Sequence, residues 1–377
     1  MVPSPEQMML REAASGWVRE RAPLLALRAL RRQADGPGFD PALYAEMTEM
    51  GWAGVVVPEA EGGFGFGYMG MGLLAEELGR NLVASPLIAS AVLLADALVL
   101  GADDSQKEAW LPRLVSGEIH GALALEEGIS HDPAQTAVVA RRDGDDWVLD
   151  GTKRPVFEGS GAGLFLIVAR TSGAPGDRDG ITLFLCPGDA QGLASRSLSH
   201  IDSRGAVSLT FSACRLGADA VLGEPGQGLG LLDRVLDRGR AVLAAEMLGS
   251  AQAAFDTTVE YMKTRIQFDQ PIGSFQALQH RVADLLGDLE MARSAVRRAL
   301  AAIDSGDSEE ALLASLAKAL AGQVFRRAAS EMIQIHGGIG MTDEHDAGLY
   351  FKRSQVADMM LGNVAFHRER FADLAGI

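Results

Sequence analysis

The hydrophobic pattern of this chain changes its period twice, and this feature most constrains the fold. From Glu6 to about Gly117 the apolar residues recur at helical spacing. Between Ile119 and Leu222 the chain consists of short β-branched and aromatic runs separated by Gly, Asp and Pro, which is typical of strands. Helical spacing returns after Gly230 and continues to the end. The pattern therefore predicts an α+β protein in the order α, β, α.

These changes of pattern predict three domains. We expect an N-terminal all-α domain over residues 1–118, a middle antiparallel β domain over 119–222 and a C-terminal four-helix bundle over 223–377. With 377 residues, the chain is long enough to bury more than one core. The clearest predicted strands lie at 146–149, 164–168, 181–186 and 207–211.

Charge and composition exclude several classes of partner. The formal net charge is -16, which repels nucleic acid and anionic membrane surfaces. The apolar run 89–100 is shorter than the roughly 20 residues of a membrane span, and residues 1–19 contain no continuous hydrophobic segment. Cys186 and Cys214 show no metal-ligand or disulfide spacing, which favours a reducing cytoplasm.

Two short motifs are weaker than they first look. Gly65, Gly67 and Gly70 spell the GxGxxG of nicotinamide-binding turns, but no βαβ units surround them, so a glycine-rich surface loop before a helix is the better interpretation. The run 343–346 reads Asp-Glu-His-Asp, which has the composition of a metal cluster. Because Thr342 can begin a helix just before it, we favour a capping role and predict no metal site.

The strongest signal is a pair of motifs in the second helical region. The first runs from Tyr261 as Y-x-x-x-R-x-Q-F-x-x-P-I-x-x-F-Q, and the second reads Q-I-H-G-G-x-G. Together they resemble the C-terminal helical domain of the FAD-dependent acyl-CoA dehydrogenases. Asp269 departs from the glycine that the family usually carries after the aromatic residue. The resemblance implies that the following residues bind FAD: Arg265, Gln267, Phe268, Ile272, Phe275, Gln276, Gln334, Ile335, His336, Gly337 and Gly338.

The chemistry of these residues suits the tail of the cofactor. A guanidinium such as Arg265 can pair with a pyrophosphate, and Gly337 and Gly338 allow the backbone to approach a ligand closely. The alternative is that Arg265 is a surface cation and the glycines only end a helix. The order and separation of the two motifs favour cofactor binding.

The resemblance also implies partners and a reaction. In the family, one subunit holds the flavin ring and the helices of its neighbour hold the adenosine diphosphate tail, so a homo-oligomer, often a tetramer, is expected. The substrate is an acyl-CoA, the product carries an α,β double bond, and the electron acceptor is an electron-transfer flavoprotein. Asp237 and Arg240 match positions near the bound thioester, so we expect them to contact the substrate.

The catalytic base of the family is missing from both of its usual positions. Most members carry a Glu that corresponds to Leu361, and a second group carries one that corresponds to Gly239. Glu246 lies seven residues after Gly239, which returns to the same helix face after two turns, so it is the substitute that we favour as catalytic base. The alternative is that Glu246 bonds to a neighbouring helix.

Contacts to the flavin ring are altered as well. The family's hydroxyl residue falls in the stretch 124–127, which here reads Ala-Leu-Glu-Glu, and Pro155 and Phe157 replace a Trp and a Thr. The sequence therefore allows three hypotheses: an enzyme that is active alone with an unusual base, one partner of a heterotetramer with a homologous subunit, or a scaffold without chemistry. The segment 342–353 resembles the heteromeric branch that acts on sterol and other bulky acyl-CoA esters.

Overall fold

A computed structural model describes residues 3–33 and 36–377, which divide into two compact units. The helical unit comprises the described residues of 1–27 together with 68–83 and 240–377. The β unit comprises the described residues of 28–67 together with 84–239. The division falls inside one long helix, at residues 239 and 240.

The helices follow the order that the sequence predicts. Their bounds are α1 Pro5–Arg21, α2 Leu24–Leu30, α3 Pro41–Glu49, α4 Gly67–Arg80, α5 Ala95–Gly101, α6 Asp104–Val115, α7 Gly228–Thr264, α8 Gln276–Ser305, α9 Glu310–His336, α10 Ala347–Met359 and α11 Val364–Ala375. The predicted buried helix at 89–100 is confirmed; it consists of a π-helical segment, Ile88–Leu94, that continues into α5. Of the helices that the described residues form, none is long and apolar enough to cross a membrane.

Side-chain caps fix where several helices begin. At α1 the Ser4 hydroxyl accepts the amide of Gln7, and the Gln7 side chain accepts the amide of Ser4. At α11 the side chain of Asn363 accepts the amide of Phe366 at 2.9 Å. These bonds satisfy amide groups that the first turn of a helix leaves without partners.

Within the helical unit, α4 and α7 touch through their backbones. A Cβ atom on Gly79 would lie 2.1 Å from the carbonyl oxygen of Glu246, and one on Gly249 would lie 1.8 Å from the carbonyl oxygen of Glu76. The Ser250 hydroxyl adds a hydrogen bond of 2.8 Å to the Gly79 carbonyl. Only glycine permits this approach, so the two helices are held at a fixed distance.

Among the described residues, the β unit contains one sheet, and a two-stranded hairpin lies in the helical unit. The strands are β1 Gly121–Ala124, β2 Val139–Asp143, β3 Asp146–Phe157, β4 Leu164–Arg170, β5 Ile181–Pro187, β6 Leu193–Leu198, β7 Ala206–Leu216, β8 Val221–Leu222, β9 Ile266–Gln267 and β10 Gln270–Pro271. The sheet order is β6-β7-β3-β2-β4-β5-β8, and β1 pairs with β4.

Most of the sheet is antiparallel, as predicted, but two pairs are parallel. β1 runs parallel to β4, with Gly121 opposite Leu164, and β2 meets β4 in parallel at Val139 and Arg170. A parallel pair needs a long connection, and the chain between β1 and β4 provides one. The interior of this sheet contains Cys186 and Cys214 as buried free thiols.

Candidate functional site

The structure brings the two sequence motifs together in the helical unit. The first occupies the end of α7, the β9–β10 hairpin and the start of α8, and the second occupies the end of α9. Ile272 of the first motif and Ile335 of the second lie with Met262 in one buried apolar cluster. Residues that are about 60 positions apart in sequence therefore form one surface.

The tip of the hairpin is strained and presents an aromatic ring to solvent. Phe268 and Asp269 have φ angles of 50° and 61°, in the left-handed region that favours glycine. The Phe268 side chain is 85% exposed, and its ring meets that of Phe275 edge-on at 6.1 Å. Strained backbone that carries an exposed large apolar side chain is typical of a contact site.

Three polar side chains around the hairpin are available to a ligand. Arg265, Gln276 and Gln334 are exposed, and their side chains make no hydrogen bond or ion pair with any residue that the structure describes. The amide of Gln267, in contrast, donates to the carbonyl of Ile266 at 2.8 Å. An unpaired guanidinium with two free amides is well suited to a pyrophosphate and a ribose.

The glycines after α9 leave open space in front of the backbone. Gly337 has a φ angle of 65°, and a Cβ atom on Gly337 or Gly338 would find no atom within 4 Å. The absence of side chains here exposes the peptide groups themselves. A ligand can therefore approach the end of α9 closely.

Three aromatic rings connect the motifs to the segment before α10. The Tyr261 ring stacks on the His336 ring with centroids 4.2 Å apart, and the His345 ring lies on His336, also at 4.2 Å. Both Tyr261 and His336 belong to the sequence motifs, but the motifs do not predict that these two rings stack. The prediction that Thr342 begins a helix is wrong, because α10 begins at Ala347. The His345 ring lies beside the first turn of α10 and accepts a hydrogen bond from the Ala347 amide.

The run 343–346 has the composition of a metal cluster but not its geometry. Among the residues that the structure describes, no group of three or more His, Cys, Asp or Glu side chains could hold a metal ion.

The two usual positions of the catalytic base carry no acid. Leu361 is 7% exposed and has a φ angle of 57°. Its carbonyl oxygen accepts hydrogen bonds from Arg240 Nε at 3.1 Å and His367 Nε2 at 3.0 Å. Gly239, the second position, lies within α7 and has no side chain. Neither residue can accept a proton from a substrate.

Glu246, the base that we favoured from the sequence, lies buried within the helical unit. Its Oε1 is 3.6 Å from Nη1 of Arg353, and both side chains are at least nine-tenths buried. Arg353 also donates to the carbonyl of Leu82 at 3.2 Å. The Arg353 guanidinium thus interacts with the carboxylate oxygen of Glu246 that would have to accept a proton from the substrate. The ion pair also joins α7 to α10.

Substrate contacts were predicted at Asp237 and Arg240, and the structure buries both. Asp237 is 2% exposed and Arg240 is 1% exposed. Besides its bond to Leu361, the guanidinium of Arg240 lies 5.4 Å from the ring centroid of Phe366. Their contact with substrate stays a prediction.

In the β unit, the residues that replace the family's contacts to the flavin ring are apolar or engaged elsewhere. Leu125 and Pro155 carry no hydrogen-bonding side chain, and the Phe157 ring meets His200 edge-on at 5.4 Å. Lys153 is fully buried and donates to the Leu125 carbonyl at 2.9 Å and to Glu127 at 2.6 Å. Burial lowers the pKa of Lys153 to about 8, although Glu127 opposes the change.

Comparison with known proteins identifies the class to which this fold and site belong. Three family models match in order: the acyl-CoA dehydrogenase N-terminal domain over residues 4–118, the middle domain over 123–214 and the C-terminal domain over 226–375. The chain belongs to the acyl-CoA dehydrogenase family. The resemblance carried by the two motifs and the predicted fold class are thereby confirmed.

Particular relatives give this class more detail. The chain is 31% identical to the mitochondrial short-chain specific acyl-CoA dehydrogenase of Homo sapiens, with 97% of this chain and 89% of that protein covered. It is 31% identical to the steroid ACAD Tcur3481-Tcur3483, with a TM-score of 0.87 and 98% of each chain covered. A chain of the ChsE4-ChsE5 complex from Mycobacterium tuberculosis is 25% identical, with a TM-score of 0.89 and coverage of 100% and 98%. The protein is an oxidoreductase of the class that acts on acyl-CoA.

The family implies FAD, and the residues at the hairpin fit the tail of that cofactor. Arg265, Gln276 and Gln334 offer one cation and two amides without partners in the described chain, and Gly337 and Gly338 offer exposed backbone. These are the groups that an adenosine diphosphate requires from a protein surface.

Proposed function

We propose that this chain works as one subunit of a heteromeric acyl-CoA dehydrogenase. In this proposal it binds the adenosine diphosphate tail of an FAD whose flavin ring is held by a homologous partner. The observation that carries the proposal is a contrast within the chain: the side chains for the tail are polar and available, whereas Leu361 and Gly239 stand where a base is needed.

The chemistry of the reaction explains why this contrast matters. Introduction of an α,β double bond removes a proton from one carbon of the acyl chain and a hydride from the next, and FAD supplies the hydride acceptor when it is bound. A positioned carboxylate must take the α-proton, because this proton is only weakly acidic. The carboxylate of the partner subunit performs that step in the proposed assembly, while Arg265 balances the charge of the pyrophosphate and Gln276 and Gln334 hydrogen-bond to the tail.

Two of the compared structures support the proposal. The ChsE4-ChsE5 structure is a complex of two named components, and the Tcur3481-Tcur3483 structure is a steroid ACAD whose name also joins two components. Each has a chain that is similar to this one over nearly all of its length. We therefore propose a heterotetramer with a homologous subunit and a bulky, steroid-like acyl-CoA as substrate. An electron-transfer flavoprotein as acceptor and a cytoplasmic location complete the proposal.

The flavin content of the purified chain tests this proposal. The chain should be colourless when it is produced alone. When it is co-expressed with a homologue that carries the base, it should acquire one FAD per heterodimer, and the flavin absorbance band should bleach when acyl-CoA is added without oxygen. A chain that is yellow alone and bleaches alone is an independent enzyme. A heterodimer without flavin would instead support a scaffold.

A charge substitution tests the tail site within the same assembly. Arg265→Ala should weaken FAD binding about ten- to a hundredfold, because it removes a charged hydrogen bond to the pyrophosphate. Lys263→Ala is the matched control, since it removes the same charge two residues away, where the ammonium group is paired with Glu260. Equal losses of affinity in the two variants would exclude a specific role for Arg265.

A further inference from the structure

A stack of three rings stands beside the proposed tail site. Tyr261 comes from α7, His336 from the last residue of α9 and His345 from the segment before α10. The planes of Tyr261 and His336 are inclined by 26°, and those of His336 and His345 by 45°. His336 is 5% exposed and immediately precedes the open backbone of Gly337. The His336 imidazole is therefore held between the Tyr261 ring and the His345 ring at the edge of the site.

Hydrogen bonds determine which nitrogen of each imidazole carries a proton. His336 Nδ1 lies 2.7 Å from the carbonyl oxygen of Met332, which can only accept, so Nδ1 carries the hydrogen. His336 Nε2 makes no hydrogen bond with any residue of the described chain. His345 Nδ1 accepts the amide of Ala347 at 3.1 Å, so this nitrogen carries no hydrogen. Both rings are thus held in a defined tautomer.

Burial favours the neutral form of the central ring. The pKa of His336 is lower than usual, chiefly because burial disfavours the imidazolium ion; the Met332 carbonyl partly opposes this effect and His345 adds to it. At neutral pH, His336 Nε2 is therefore an acceptor. The surrounding elements carry further ionisable groups. They include Glu260, Lys263, Arg265 and Asp269 on α7 and its hairpin, His280, Arg281 and Asp284 on α8, Arg327 and Glu331 on α9, Asp343, Glu344 and Asp346 before α10, and Lys352 on α10.

We propose that Tyr261 and His345 are positioning residues that fix His336 with Nε2 as a hydrogen-bond acceptor toward the bound nucleotide. The group that meets Nε2 must then be a donor, which in an adenosine diphosphate means a ribose hydroxyl or the adenine amino group. This inference rests on the proposed tail site. It adds that the selectivity of the site for a nucleotide depends on one nitrogen atom, Nε2 of His336.

The state of the ring is tested first, without any ligand. Hydrogen–deuterium exchange at the imidazole carbon, followed by mass spectrometry, measures the pKa of His336 in the full chain. We expect the pKa to lie below 6.5 in the wild type and in Tyr261→Phe, and to rise in Tyr261→Ala, which removes the covering ring. His345→Asn keeps an acceptor for Ala347 but removes the third ring, so it should also raise the pKa. A His336 ring that is still protonated at neutral pH in the wild type would overturn the inference.

The donor is tested with ligands that lack one group each. Calorimetry in the assembly in which the chain purifies, after its flavin has been removed, compares ADP with purine riboside diphosphate, which lacks the amino group, and with 2′-deoxy-ADP and 3′-deoxy-ADP. One of the three analogues should bind the wild type about five- to tenfold more weakly than ADP. In His336→Phe, which keeps a ring but has no acceptor, the same analogue and ADP should bind equally.

The outcomes of the calorimetry separate this inference from the proposed function. If ADP does not bind, the tail site itself is wrong and the inference falls with it. A second outcome is that ADP binds and that each analogue is weaker than ADP by the same factor in His336→Phe as in the wild type. In that case the tail site stands and only the role of His336 is overturned.

Discussion

Asp269 occupies left-handed backbone at the tip of the β9–β10 hairpin, with a φ angle of 61°. A side chain in this region costs on the order of 1 kcal/mol, and glycine avoids that cost. We therefore expect Asp269→Gly to raise the free energy of unfolding by about 1 kcal/mol in urea denaturation. Asp269→Ala keeps a Cβ atom and should give no gain. A glycine variant no more stable than the alanine variant would show that the tip is not strained.

Glu246 allows a second test at the scale of single residues, because its structural and catalytic roles predict different results. Replacement by Gln removes the negative charge that lies 3.6 Å from the buried guanidinium of Arg353, and breaking a buried ion pair typically costs about 3 kcal/mol. We expect Glu246→Gln to lower the stability of the chain in urea and to leave flavin bleaching by acyl-CoA in the heteromer unchanged. Lost bleaching with normal stability would identify Glu246 as the base.

At the scale of elements, the turn between α10 and α11 is held by three side chains that can carry positive charge. Arg240 and His367 donate to the carbonyl of Leu361, and Lys318 donates to the carbonyls of Asp358 and Gly362 at 3.1 and 2.9 Å. The turn on which the family usually carries its base is therefore well supported here, although the base is absent. The hydrogen bonds that hold this turn are therefore present even though the turn carries no catalytic base.

The buried ammonium group of Lys318 makes the stability of this turn depend on pH. Burial lowers its pKa to about 7; Asp358 opposes the shift and Arg240 reinforces it. From pH 7 up to about 10.4, the unfolded chain keeps a proton that the folded chain has released, so stability rises with pH by about 1.4 kcal/mol per unit.

Measurement of urea unfolding between pH 7 and 9 checks this dependence. The free energy of unfolding should rise over this range, with a further contribution from Lys153 above its pKa of about 8. The slope should be smaller in Lys318→Met, which keeps the length of the side chain without its charge. An equal slope in the two proteins would mean that Lys318 stays protonated in the fold.

For the whole molecule, three histidines that are at least partly buried make stability depend on pH in the same direction on the acid side. Burial is the main reason why the pKa values of His120, His200 and His336 are lowered. Below about pH 6.5 these histidines are protonated in the unfolded chain but still largely neutral in the folded chain. The free energy of unfolding therefore decreases as the pH falls. Scanning fluorimetry should show a falling thermal midpoint from pH 6.5 to 5, with a smaller fall in His120→Gln. A constant midpoint would contradict this expectation.

The sequence predicted the order of the elements well because hydrophobic period is a local property. It also contained the two family motifs, whose role in binding a cofactor stays a prediction. Contacts that depend on distant elements could not be predicted in this way: the parallel pairing of β1 with β4, the ion pair of Glu246 with Arg353, and the position of His345 on His336. Each of these is fixed by packing between segments that no local pattern connects.

The exposed apolar side chains near the hairpin affect how copies of this chain behave in a cell before they assemble. Phe268 is 85% exposed and Met341 is 76% exposed, so the surface that would meet a cofactor and a neighbour in the proposed assembly is also one through which unassembled copies can associate. In the proposed heteromer, a copy made without its partner would be a substrate for chaperones and proteases. We therefore expect the abundance of this chain to follow that of its partner, with any excess removed by turnover.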